Sequence, residues 1–215
     1  MEKNKKDLLS LNIVLIPPKE VCAMAIAASQ LISRKTPCFF ALNNSNFFPH
    51  LTLYQIVIPA KNLNLLKSQL ESILKKVQPA KFTITDIKAA NGFIFASFDL
   101  NNEIKKTEDL VVDSLNSLRE GNTVSEYWSK QYLNANFSDK EEENIKKYGY
   151  FLVKDSFDPH ITITRVKNFN EAETMIKLIE WSVAEFTSSA IGIYILGDNG
   201  TCVKFIDQLA LGRKD

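Results

Sequence analysis

Only two histidines occur in this 215-residue chain, and each opens the same phrase: His50-Leu51-Thr52-Leu53 and His160-Ile161-Thr162-Ile163, with Pro49 or Pro159 directly before it. An imidazole with an ordinary pKa of about 6.5 can be neutral in one copy and protonated in the other near neutral pH. One ring then takes a proton from an attacking hydroxyl or water, and the other gives one to a leaving oxygen. Thr52 and Thr162 would add hydroxyl donors for the non-bridging oxygens, where negative charge concentrates. A base, an acid opposite it and donors between them suit in-line displacement at phosphorus. That chemistry requires no metal and no cofactor. Two other readings of the same residues stay open. One is a nucleotide- or RNA-binding module without turnover. The other is a metal hydrolase, for which a third ligand at recognisable spacing is missing from the sequence.

Such side chains act only if strands aim them. Residues 51–58 and 161–166 are rich in β-branched and aromatic types and read as strands. Alternation along a strand puts His50 with Thr52, and His160 with Thr162, on one face, while Leu51, Leu53, Ile161 and Ile163 take the other. A proline just before each strand fits a position where no ladder donor is needed. His50 is followed by a strand, a helical stretch over 62–77, a strand over 81–89, an Asn91-Gly92 turn and a strand over 93–98. His160 is followed by a strand, a helical stretch over 170–183, a strand over 185–196, a turn at Asp198-Asn199-Gly200 and a strand over 201–211. This order reads as one supersecondary unit used twice, and a pseudo-twofold would bring the histidines together. Residues 11–16 form a further strand, stopped by Pro17-Pro18, with helices over 19–33 and 103–118.

The doubled Pro-His-aliphatic-Thr-aliphatic phrase, with Arg165 shortly after the second copy, resembles the two-histidine (2H) phosphoesterase superfamily of 2′,5′ RNA ligase-like proteins and cyclic phosphodiesterases. The resemblance implies a bilobal α+β fold, with two pseudo-twofold-related antiparallel sheets, helices packed outside and a central cleft. It also implies a metal-independent hydrolase acting on 2′,3′-cyclic or 2′,5′-linked phosphates, with His50, His160, Thr52 and Thr162 as catalytic residues. The chain departs from the family pattern over 119–154, which reads as an inserted or enlarged helical and loop connection. This stretch holds the aromatic cluster Tyr127, Trp128 and Tyr132, an acidic run over 139–143 and Tyr148-Gly149-Tyr150. Long connections of this kind are often functional, and a lid is one reading.

For substrate binding the candidates are Arg165 and the aromatic residues Phe48, Tyr54, Tyr148, Tyr150 and Phe157, since bases stack on aromatic faces. Strict alternation sends Arg165 to the face away from His160, so it reaches the phosphate only through strand twist or a bulge.

Composition sets the remaining bounds. At 215 residues and 45% hydrophobic content the chain makes a full core, and 1–215 reads as a single domain of interleaved lobes. A net charge of +1 argues against a broadly basic nucleic-acid coat but suits an RNA end or small nucleotide. Cys22, Cys38 and Cys202 have no metal-ligand spacing, and their odd number fits a reducing compartment. With no convincing signal peptide and no apolar run long enough to span a bilayer, the expectation is a cytoplasmic monomer that does not engage membranes.

Overall fold

The computed structural model describes residues 7–124 and 137–212. Among these residues, nine antiparallel strands form one open sheet: β1 (Leu8–Leu15), β2 (Cys38–Ala41), β3 (Leu51–Pro59), β4 (Ala80–Ala90), β5 (Phe93–Phe98), β6 (His160–Val166), β7 (Glu185–Ser188), β8 (Ala190–Leu196) and β9 (Cys202–Ala210). The order across the sheet is β7-β4-β5-β6-β3-β1-β8-β9, with β2 paired to β6. Among the described residues, five α-helices accompany it: α1 (Lys19–Ser33), α2 (Leu63–Leu74), α3 (Asn102–Leu115), α4 (Asp139–Tyr148) and α5 (Ala172–Ile176).

The sheet is two halves, β7-β4-β5-β6 and β3-β1-β8-β9, whose motif strands meet at a single register pair, Leu51 with Ile161. Each of these is the residue between histidine and threonine in its motif. In an antiparallel register, the residues flanking this pair set His50 towards Thr162 and Thr52 towards His160. Leu51 and Ile161 are buried in the main core beneath the helices, so the imidazoles and hydroxyls face the other side.

The pairing also corrects where the internal repeat begins. β1 pairs with the first motif strand as β5 pairs with the second. The repeating unit therefore starts at β1 in one half and at β5 in the other, and a later strand of each unit crosses over. β4 completes the half that contains β6, and β8 completes the half that contains β3.

Helix expectations hold closely over 19–33, where Val21, Ala25, Ala28 and Ile32 form the buried stripe. They fail over 170–183. There a 3-10 turn at Phe169–Glu171 leads into the five-residue α5, and the chain is irregular thereafter. The Trp181 indole N–H donates to the Val183 carbonyl at 3.0 Å and its ring packs edge-on to Phe98, so tertiary packing overrides the helical period. The expected strand over 185–196 is two strands, because it changes partner from β4 to β1. Among the described residues, no helix is long and apolar enough to cross a membrane.

Within the enlarged connection, α4 starts at a capping box between Ser138 and Glu141 and ends at Gly149, whose φ of 78° supplies the left-handed cap. Lys154 ties the end of this segment to α3. Its backbone N–H donates to the fully buried Glu108 carboxylate at 2.8 Å, and its ammonium pairs with Asp109 and Asp113. Tyr127, Trp128 and Tyr132 lie outside the described residues.

Candidate active site

A bulge at the same place in both motifs shapes the site. Opposite β1 the pairing runs from Ile13 with Tyr54 to Val14 with Thr52, which leaves Leu53 as the extra residue. Opposite β5 it runs from Ile94 with Thr164 to Phe95 with Thr162, which leaves Ile163. An inserted residue reverses the alternation beyond it. The fifth residue after each histidine, Gln55 in one half and Arg165 in the other, therefore turns to the same side as its histidine and threonine. All six side chains line one cavity of about 680 Å³, within the size range of small-molecule sites.

The two imidazoles are held alike. Nδ1 of His50 lies 2.7 Å from the Phe48 carbonyl, and Nδ1 of His160 lies 2.7 Å from the Asp158 carbonyl. A carbonyl only accepts, so in each ring the proton sits on Nδ1 and Nε2 is the free base. Burial pushes the His50 pKa down to about 4 against the opposing pull of the Phe48 and Gly200 carbonyls, and the His160 charge lowers it further. Burial also lowers the His160 pKa, but the Asp158 carbonyl and carboxylate both favour its imidazolium. The Phe95 ring packs 5.2 Å from the His160 ring.

Thr52 is oriented from behind. The fully buried Asn12 amide donates to Thr52 Oγ1 at 3.2 Å and to the Gly200 carbonyl at 3.4 Å. The carbonyl contact fixes which end of the amide is nitrogen, so Thr52 accepts from Asn12 and its own proton is directed elsewhere, towards the cleft. Arg165 is caged by the rings of Phe39, Phe93 and Phe169, 4.5–5.2 Å from its guanidinium carbon. Its Nη1 donates to Asn199 Oδ1 at 2.9 Å and its Nε to the Asn91 carbonyl at 3.2 Å. The two Asn-Gly turns thus bracket the cation, with Asn91 and Asn199 both in left-handed backbone.

The aromatic candidates divide. Tyr150 lines the cleft, but Tyr54, Phe48, Tyr148 and Phe157 do not. The bulge at Leu53, counterpart of the one at Ile163 that delivers Arg165, carries Tyr54 into the core, where it is fully buried and its hydroxyl donates to the Tyr148 carbonyl at 2.5 Å. Phe48 packs on Tyr194, Phe157 is buried, and Tyr148 is partly buried against the core. None of these four has a ring face to offer a base in this cleft. Sequence reasoning missed Gln55, Asn12, Phe137, Glu141 and Phe151. Gln55 could have been found by counting five residues from each histidine, and Asn12 as the lone polar residue of the apolar 11–16 run. Among the described residues no group of three or more His, Cys, Asp or Glu side chains is placed to hold a metal.

A family model described as protein of unknown function (DUF1045) matches residues 57–197. The chain belongs to this family. No curated protein matches the sequence. Among solved structures, E. coli LigT complexed with 3′-AMP superimposes with a TM-score of 0.56 at 12% identity, covering 96% of this chain and 99% of that one. TT0787 of Thermus thermophilus gives 0.55 at 13%, covering 96% and 100%. A structure described as a phosphoesterase gives 0.53 at 13%, covering 95% and 99%. This DUF1045 chain has the fold of these neighbours, one of which is described as a phosphoesterase.

Proposed function

We propose that this protein is a metal-independent phosphodiesterase that opens a 2′,3′-cyclic phosphate or cleaves a 2′,5′ linkage on an RNA end or nucleotide. The observation that carries the reading is the matched setting of the two imidazoles. Each Nδ1 is tied to the carbonyl two residues earlier, and both rings line one shared cleft with both motif threonines. A structural neighbour complexed with 3′-AMP adds support for a nucleotide-sized ligand.

In this reading the phosphate sits between the rings. The Asp158 carboxylate favours the proton on His160, and the neutral His50 Nε2 removes a proton from the attacking water. As the phosphorus–oxygen bond to the leaving group breaks, His160 Nε2 delivers its proton to that oxygen. Thr52 and Thr162 donate to the equatorial oxygens, and Arg165 balances the phosphate charge.

Incubation with 2′,3′-cyclic nucleotides and 2′,5′-linked dinucleotides, with product identification, tests the proposal. Turnover should survive EDTA and fall at least about a thousandfold in His50→Ala and in His160→Ala, consistent with loss of a general acid or base. Activity that persists in either variant, or that EDTA abolishes, would sink this mechanism. Tight binding without product would make the protein a binding module.

A further inference from the structure

The enlarged connection supplies part of the wall of the cleft. Phe137, Glu141, Tyr150, Phe151 and Leu152 line the same cavity as the two histidines. The Phe151 ring lies 5.1 Å from both the Phe137 and the Tyr150 rings, which makes a continuous aromatic surface. Beside it stands Glu141, held in place as the third residue of α4. Its Oε2 accepts from the Ser138 backbone N–H at 2.8 Å and from the Ser138 hydroxyl at 2.8 Å. Both bonds fall on Oε2, which leaves Oε1 as the acceptor for a ligand.

A carboxylate is out of place in a cleft meant only for phosphate. Among the described residues lining it, Arg165 is the one Lys or Arg, while Asp158 and Glu141 are both acidic. Asp158 has a use beside His160, whereas Glu141 belongs to a different element, the one that shares the cavity wall with the aromatic rings. Flat rings next to a fixed acceptor suit a flat ligand that carries N–H donors on its edge. A ligand edge presenting a carbonyl would set oxygen against oxygen and leave a desolvated acceptor unpaired, and polar sites discriminate strongly on that ground.

Building on the phosphodiesterase reading, we infer that the inserted segment reads the substrate's base and selects amino-bearing bases over those with a carbonyl in that position. The sharpest test compares 2′,3′-cyclic CMP with 2′,3′-cyclic UMP, which differ at the ring edge by an amino group against a carbonyl at C4, and by a bare nitrogen against an N–H at N3. The wild type should favour the cytidine substrate in kcat/KM by about tenfold or more. Glu141→Gln keeps a residue that serves the capping box and should bring the two substrates to near parity. Phe151→Ala should raise KM for both alike, because stacking is tolerant of base identity.

Equal turnover of the two substrates by the wild type would overturn the inference and leave the phosphodiesterase reading intact. If neither is turned over, calorimetric titration of the wild type and Glu141→Gln with the same two nucleotides decides it. A cytidine preference lost in the variant would uphold base reading while the catalytic proposal falls. Equal binding of the two, or none, would overturn the inference.

Discussion

His50 is buried and His160 half-buried, the neutral forms of both rings are favoured, and this sets where on the pH scale they can work as a pair. The working state needs one ring protonated and the other neutral. Activity falls as pH drops through the base's pKa and as it rises through the acid's. Both values lie below the ordinary 6.5, and His50 is near 4. The kcat/KM profile should therefore be a bell with its maximum on the acid side of 6.5 and its acidic limb near 4. Asp158→Asn removes a charge that favours the His160 imidazolium, so its alkaline limb should move to lower pH while the acidic limb stays. An unmoved alkaline limb would count against His160 as the proton donor. The four motif residues were legible because their types and spacing repeat. Tyr54 was misread because one bulged residue, Leu53, reverses the face of everything after it, and a bulge leaves no mark on composition.

At the scale of elements, the turns matter as much as the strands. Gly92 has a φ of 80°, and a Cβ there would come 2.4 Å from the Phe169 ring, one wall of the Arg165 cage. Gly92→Ala should destabilise the fold by about 1–3 kcal/mol through backbone strain. It should also raise KM more than it lowers kcat, because it shifts a binding cation and not the imidazoles. Denaturant unfolding and steady-state kinetics would measure the two effects. The sequence marked both Asn-Gly turns as hairpins, and they are, but it gave no sign that they bracket a guanidinium. α1 was readable to the residue because its buried stripe and preceding prolines agree. The stretch after α5 was not, because Trp181 turns to pack on Phe98, a partner more than eighty positions away.

For the whole molecule, a buried neutral histidine is a liability in acid. Below about 6.5 the unfolded chain takes up protons that folded His50 refuses until pH nears 4. Stability is therefore full above the unfolded value and drains away as pH falls through this window. At about 1.4 kcal/mol per pH unit, His50 accounts for on the order of 3 kcal/mol of the loss. Urea unfolding at pH 7, 5.5 and 4.5 should show the decline, and His50→Gln should flatten it. A wild-type stability that held constant from pH 7 to 4.5 would contradict the buried, neutral ring.

The exchange of β4 and β8 between the halves has a last consequence. A chain severed at the Asn91-Gly92 turn would separate β4 from both of its neighbours, β5 and β7, and β1 from β8. The amino-terminal piece would keep only the β1–β3 pairing. Neither piece could close its own core, yet each would offer the bare edges that the other needs. The two pieces should therefore be inert when produced apart and regain one folded body when mixed, with His50 and His160 brought back into one cleft only in the reunited assembly.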